Sequence, residues 1–146
     1  MNRIRIAAVA FACLGLAACG SSTPGPAGWT ATGPSSWSLA SGQIYVVSQV
    51  PFAGSRTDLS NQESVNVLLS HKSQGIAYHG SAPYPGCEGA AGLMTFSEKL
   101  PAPGKMILVG FMVLNGTATT VVYERPTGQA IDPAATAAMR QTVCRV

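Results

Sequence analysis

The side chains of this sequence best able to do chemistry are its thiols and imidazoles. There are four cysteines and two histidines: Cys13, Cys19, Cys87, Cys144, His71 and His79. A thiol can become a thioether, pair in a disulfide, bind a metal or act as a nucleophile, depending on its compartment and its neighbours. The first question is therefore where in the chain each cysteine stands.

The histidines offer a weak metal-binding pattern. His71 and His79 are eight residues apart, on what the sequence predicts as two strands joined by a turn, and Glu88 follows. A zinc site needs three or four ligands, usually with close pairs such as H-x-x-x-H, and no such pair is present. Ordinary surface positions explain the three residues better, so we predict no metal and no cofactor.

Catalytic patterns are equally weak. No serine stands in a G-x-S-x-G elbow, and the acidic residues are scattered singly rather than paired. Cys87 with His79 could form a thiol nucleophile only if Cys87 is not in a disulfide. The sequence therefore predicts a protein that is not an enzyme.

The amino terminus carries an export pattern. Arg3 and Arg5 precede a short apolar stretch, which ends in Leu16-Ala17-Ala18-Cys19. This ending resembles the lipobox of bacterial lipoproteins. The resemblance implies a signal peptide over residues 1–18 and a diacylglyceryl thioether with palmitate-type chains on Cys19. The alternative is an ordinary signal peptide with a chance cysteine at this position.

The same resemblance implies a location. The mature chain would be lipid-anchored in the cell envelope. Gly20 follows the cysteine, where an Asp would signal retention in the inner membrane. If the source is Gram-negative, we expect the outer membrane, with the protein facing the periplasm.

These assignments account for two cysteines and leave a pair. Cys13 leaves with the signal peptide and Cys19 carries lipid. Cys87 and Cys144 remain in an oxidising compartment, so we predict a disulfide between them. Helical spacing points Cys144 away from the apolar stripe of its helix. Either the last turn unwinds, or the loop carrying Cys87 crosses the outer side of the helix.

Charge argues against nucleic acid as a partner. The formal net charge of the whole chain is +3, and removal of Arg3 and Arg5 with the signal peptide leaves +1. Binding to nucleic acid needs several cations that neutralise phosphates. The expected partners are therefore the membrane, through the lipid anchor, and a protein or an envelope polymer.

Composition divides the chain into three parts. Residues 1–18 are the signal peptide. Residues 19–28, rich in Gly, Pro and Ser, are predicted to be a disordered tether that reaches about 30 Å when extended. Residues 29–146 form a single α+β domain. Trp29 and Trp37, near the start of this domain, suggest that its first segment docks on the rest.

Strand patterns dominate the domain. The clearest signal is a hairpin, in which Asn115-Gly116 forms a type I′ turn between residues 106–114 and 117–124. Further strands are predicted over residues 44–50, 65–70, 75–79 and 92–97. Residues 58–63 are predicted to form one helical turn, capped by Asp58 or Ser60.

A helix is predicted to close the chain. Asp132 suits the N-cap, Pro133 suits the first helical position, and alanines follow. Together these elements predict a mostly antiparallel sheet of about five to six strands covered by a C-terminal helix, an α+β fold.

Short patches also resemble the PsbP-like α/β/α domains. The patches are Val65-Asn66-Val67, the strand ending Tyr123-Glu124-Arg125-Pro126-Thr127-Gly128, and the terminal helix with Cys144. The resemblance covers about residues 37–146, but the aromatic-Pro-x-x-Trp opening of that family is missing. It implies a non-enzymatic binding or assembly module, and no functional residue can be carried over.

The sequence thus predicts an envelope lipoprotein whose domain binds a protein or an envelope polymer. Two alternatives remain. One is a metal-binding protein or hydrolytic enzyme that uses His71 and His79. The other is a carrier with a small-ligand pocket between sheet and helix.

Overall fold

The computed structural model describes residues 23–87 and 89–144. They form one seven-stranded antiparallel sheet and two α-helices that pack on it. The elements are β1 (Thr30–Gly33), β2 (Ser36–Ser38), β3 (Ile44–Pro51), α1 (Arg56–Ser70), β4 (Ala77–Pro83), β5 (Ala91–Glu98), β6 (Lys105–Leu114), β7 (Thr117–Pro126) and α2 (Pro133–Cys144). A short 3-10 helix, Lys72–Gln74, follows α1.

All pairings in the sheet are antiparallel, in the order β1-β2-β3-β7-β6-β5-β4. The α+β prediction is confirmed, but the sheet has seven strands rather than five to six. The added strands are β1 and β2, whose Thr, Gly, Pro and Ser content is typical of loops. They form a short hairpin because Trp37 of β2 packs edge-on against Tyr45 of β3, with ring centroids 5.8 Å apart.

The predicted central hairpin is confirmed. β6 and β7 pair over their full length, from Lys105 opposite Pro126 to Leu114 opposite Thr117. Asn115 and Gly116 at the turn have φ angles of 49° and 72°. Positive φ at both central residues is the geometry that a type I′ turn requires, and Asn-Gly tolerates it best.

The prediction of a strand over residues 65–70 is wrong, because these residues form the last turns of α1. The helix begins earlier than the predicted turn at 58–63. Its N-cap is Ser55, whose hydroxyl accepts from the Asp58 amide while the Asp58 carboxylate accepts from the Ser55 amide at 2.7 Å. This reciprocal capping box satisfies two helix-end donors. A window of six residues with two valines was too short to reveal the helical period.

The predicted C-terminal helix is confirmed and covers one face of the sheet. The Asp132 carboxylate accepts from the amides of Ala134 and Ala135 at 2.7 and 3.3 Å, as expected for an N-cap. The helix buries Ala135, Ala138, Met139 and Val143. They pack on a core formed by Tyr84, in the loop after β4, and by strand residues that point to this face: Tyr45, Val47, Ala91, Met112, Val121 and Tyr123.

The other face carries α1 and a second core. Leu59 is the most buried residue of α1, and Val67 and Leu68 of the same helix pack at the margin of this core. The sheet contributes Met94, Phe96, Ile107, Val109, Phe111 and Ala118. Because side chains alternate along each strand, the residues of this core and those under α2 come from the same strands. The sheet is thus layered between two helices.

The disulfide pattern is present in the structure. Cys87 and Cys144 are paired, with their Cα atoms 5.5 Å apart, within the usual range. Helix α2 continues through Cys144, so its last turn does not unwind. Instead, the loop after β4 lies along the helix, where Arg140 donates to the Gly86 carbonyl at 3.4 Å. The loop meets the side of α2 that carries Arg140 and Cys144.

The segment before β1 packs on the α2 face. Pro26 is buried, and Gly25 lies so close to the Trp37 indole that an added Cβ would be 2.2 Å from it. Trp29 packs edge-on against Tyr45 and Tyr123. Packing onto the domain therefore reaches back to Gly25, ahead of the boundary that composition placed near Trp29. The earlier part of the predicted tether and the signal peptide lie outside the described residues.

Candidate functional site

Among the described elements, helix α1 covers only part of its side of the sheet. It packs on β4, β5 and β6 and shares its core with Ala118 of β7, whereas β3 lies beyond it in the strand order. Tyr45 and Val47 of β3 point to the α2 face, so their neighbours Ile44, Val46, Ser48 and Val50 point to the α1 side. We call these four residues the open half-sheet; Thr120 and Val122 of β7, which lie opposite Ser48 and Val46, are buried and half-buried at its margin.

The open half-sheet is aliphatic and uncharged. Ile44, Val46 and Val50 are 37%, 36% and 49% exposed. Val46 lies opposite Val122, and Ser48 lies opposite Thr120, so small β-branched and hydroxyl side chains form adjacent rows. Exposed aliphatic residues are unremarkable singly, but a contiguous row on a flat sheet is typical of an interaction surface.

Helix α1 presents a second apolar surface beside it. Val65 and Leu69 are 52% and 63% exposed, and they are one helical turn apart. At about 100° per residue, both point away from Val67, which packs toward the sheet. We call this pair the outer ridge. This ridge was not predicted from the sequence, because residues 65–70 have the composition of a strand.

Charged residues gather at one end of this face. The Lys105 ammonium donates to the Glu124 carboxylate at 3.0 Å, and this hydrogen bond raises the pKa of Lys105 above its ordinary value. Glu124 lies directly opposite Ile44 of the open half-sheet. The aliphatic rows therefore end at an ion pair rather than at an unpaired charge.

His71 forms a separate polar contact at the carboxyl end of α1. Its Nδ1 contacts the carboxylate of Glu98, whose side chain is only 2% exposed at the end of β5. A buried carboxylate needs such a partner, because loss of hydration is costly. His71 therefore joins the last turn of α1 to the sheet.

His79 lies on β4 and has a different partner. Its Nε2 is 2.6 Å from the Ser97 hydroxyl of β5. Ser97 and Glu98 are consecutive residues of one strand, so their side chains point to opposite faces of the sheet. The serine–histidine contact and the histidine–carboxylate contact are thus divided by the sheet, and they do not combine into a Ser-His-Glu relay.

The weak metal pattern does not assemble. Within residues 23–87 and 89–144, no group of three or more His, Cys, Asp and Glu side chains could hold a metal ion. His71 contacts Glu98 and His79 contacts Ser97, so the two histidines do not face each other across a hairpin. Glu88 lies outside the described residues. Cys87 is taken up by its pairing with Cys144.

Two shallow depressions flank β4. One lies against α1, is lined by Arg56, Ser60, Ser81 and Phe111, and has a volume of about 230 Å³. The other lies on the α2 side, is lined by His79, Leu93 and Thr95, and has a similar volume of about 230 Å³. Both are smaller than the roughly 300 Å³ at which ligand pockets usually begin. The first lies between α1 and the sheet, where the carrier hypothesis would place a pocket, and the second has no helix in its lining.

None of the described helices is both long enough and apolar enough to cross a membrane. Cys19, the predicted lipid attachment site, lies outside the described residues. No protein-family model matches the chain, and no curated protein is significantly similar to it in sequence. The geometry of the open half-sheet and the outer ridge therefore provides the main structural evidence about function.

Proposed function

We propose that this protein is an envelope lipoprotein, anchored by lipid on Cys19, whose domain is a binding or assembly module. The observation that carries the binding role is the open half-sheet, where aliphatic side chains of β3 are exposed beside a helix that covers only part of its side of the sheet. The anchor rests on the sequence Leu16-Ala17-Ala18-Cys19 and on the basic, apolar segment before it.

The partner class is a protein or an envelope polymer. Flat rows of Val, Ile, Ser and Thr suit an extended or helical protein surface better than a small ligand, because a small ligand needs a concave site to be buried. The near-neutral charge of the mature chain makes nucleic acid a poor partner. The resemblance to PsbP-like domains also favours a non-enzymatic module.

Two variants test the anchor. Bacteria that express the full chain are fed an alkyne-bearing palmitate analogue, and the purified chain is examined for the label. Cys19→Ser should abolish incorporation, since the thioether forms on that sulfur. Cys13→Ser is the matched control and should leave it unchanged. Equal labelling of the Cys19→Ser chain would overturn the anchor.

A photoreactive side chain tests the binding role. It is placed at Val46 in the full chain, in the cell envelope, with Ile131 as the control because it is similarly exposed on the α2 side. We expect a discrete crosslinked species from Val46 and none from Ile131. The same products from both positions, or none from Val46, would argue against a binding module centred on the open half-sheet.

A further inference from the structure

We infer that the occupant of the open half-sheet is a second copy of this chain, which inserts the outer ridge of its own α1. The inference rests on the proposed binding role and names its partner. The two apolar surfaces that it brings together, the open half-sheet and the outer ridge, lie on the same side of one molecule.

The widths of the two surfaces match. Helix α1 packs on β4, β5 and β6 and shares its core with β7, which leaves β3, β2 and β1 beyond the helix on that side among the described elements. Neighbouring strands are about 4.8 Å apart, so these three strands span roughly 10 Å. An α-helix with its side chains is about 10 Å across. There is room for one more helix.

A two-fold axis satisfies both surfaces at once. Two copies placed face to face would hold their α1 helices side by side in one middle layer. The inner side of each helix, with Leu59 and Val67, keeps its own sheet. Its outer ridge then meets Ile44, Val46 and Val50 of the other copy. Such an interface is isologous, because each copy gives and receives the same contact.

Charge does not oppose this arrangement. The open half-sheet carries no ionised group along β3, and the Lys105–Glu124 ion pair at its end is already neutralised. On α1, the outer ridge is flanked by the uncharged Asn61, Gln62 and Asn66, and the charged Asp58, on the same stripe about two turns earlier, is hydrogen-bonded to Ser55 in the capping box. A second copy therefore meets aliphatic and amide groups rather than repelling charges.

The expected dimer is weak and is strengthened by the membrane. A helix of 15 residues is about 22 Å long. Two contacts of that length and about 10 Å width bury on the order of 900 Å², which is below the roughly 1,200 Å² of standard specific interfaces and typical of weak, transient ones. Micromolar dissociation is expected in solution. Anchoring both copies in one membrane raises their effective concentration.

The experiment measures mass and uses the mixing of two variants. The full chain is extracted in density-matched detergent and followed by sedimentation equilibrium over about 1 to 100 µM. We expect a monomer–dimer equilibrium. Leu69→Lys in the outer ridge and Val46→Glu in the open half-sheet should each raise the dissociation constant at least tenfold. Ile131→Glu, an exposed aliphatic position elsewhere, should leave it unchanged.

Mixing then tests the pairing of ridge with half-sheet. The Leu69→Lys chain and the Val46→Glu chain together should form a heterodimer, because lysine meets glutamate in one contact and the other contact is native. Pairing of ridge with ridge, or half-sheet with half-sheet, gives no such rescue. Rescue also shows that both variants are folded.

Three outcomes overturn the inference: a single-chain mass at every concentration, a dimer that both variants leave intact, or a mixture that stays monomeric. The proposed binding role fails separately. A monomeric chain that still crosslinks from Val46 to another macromolecule keeps that role and excludes the second copy as its occupant.

Discussion

The two faces of the sheet are covered by helices and aromatic side chains to different extents. The α2 face is closed: α2 packs on β5, β6 and β7, Trp29 and Trp37 cover β3, and a disulfide ties the loop after β4 to the end of the helix. Among the described residues, the α1 face is closed over β4, β5, β6 and β7 and carries the open half-sheet on β3.

This difference separates stability from binding. Burial of apolar area stabilises the fold, so the closed face should hold most of the residues whose loss is costly. The open half-sheet and the outer ridge remain available to a partner, because they contribute little to the isolated domain. Four predictions sharpen or break this division, and they are ordered by the size of the expected effect.

Loss of the disulfide should be the most damaging change to the closed face. The pair spans 57 residues. For a loop of that size the chain-entropy account gives a stabilisation of about 4 kcal/mol. Replacing Cys87 and Cys144 together with serine should therefore lower the free energy of unfolding by about that amount, measured by urea titration. A loss below about 1 kcal/mol would mean that the closed face does not depend on this tie.

The inner and outer sides of α1 should differ sharply. Leu59→Ala removes a fully buried side chain and should cost about 3 kcal/mol. Leu69→Ala, at the outer ridge, should change the free energy of unfolding by less than about 0.5 kcal/mol at concentrations where the chain is monomeric. Urea titrations of the two variants give the comparison directly. Similar costs at both positions would show that the outer ridge is already covered within one chain.

Alkaline pH should weaken the closed face through Tyr45. Burial raises the pKa of this phenol from 10.0 to about 12. The folded state therefore favours the neutral phenol, and the unfolded chain ionises first. The contribution of Tyr45 is fully present below pH 10 and is lost as the pH rises toward 12, by an amount on the order of 2 kcal/mol.

Tyr45→Phe isolates this contribution. The variant lacks the ionisable group, so its free energy of unfolding should fall less steeply between pH 10 and pH 12 than that of the unaltered chain. Unfolding in urea at several pH values gives both slopes. Parallel slopes would exclude Tyr45 as their source.

The caps of the two helices should be nearly equal in effect and smallest. Ser55→Ala removes the acceptor at the start of α1, and Asp132→Ala removes the acceptor at the start of α2. Each should cost about 1 kcal/mol, since each side chain satisfies helix-end amides. Thermal unfolding followed by circular dichroism compares them. A cost several-fold larger at Asp132 would indicate that α2 docking depends on its first turn.

Local signals predicted the parts of the fold that local chemistry determines. Asn115-Gly116 fixed the β6–β7 turn, Asp132-Pro133 marked the start of α2, and the cysteine count indicated the pairing of Cys87 with Cys144. Each depends on neighbouring residues or on the number of cysteines left to pair. None needs knowledge of how distant segments pack.

Other features depend on distant contacts and could not be predicted. Val65 and Val67 have the composition of a strand, but the capping box at Ser55 and packing through Leu59 select the helix. β1 and β2 form a hairpin because Trp37 of β2 packs against Tyr45 of β3.

The candidate site shows the same limit. β3 carries apolar residues on both of its faces, and this pattern does not indicate which face is covered. Whether a helix covers a given strand is decided by the position of α1 in the whole sheet. The partners of His71 and His79 were likewise hidden, because Glu98 and Ser97 lie 27 and 18 residues further along the chain.

The tie between Cys87 and Cys144 also has a mechanical consequence. A pulling force that enters through the segment at Gly25 would first load the β1–β2 hairpin and then β3. Extension of the chain can continue only as far as Cys87, because the 57 residues beyond it belong to a covalent ring. Roughly 190 Å of contour length is thereby withheld from stretching. Under load, β5, β6, β7 and α2 would remain within a covalently closed loop that cannot be extended, while the rest of the chain unfolds.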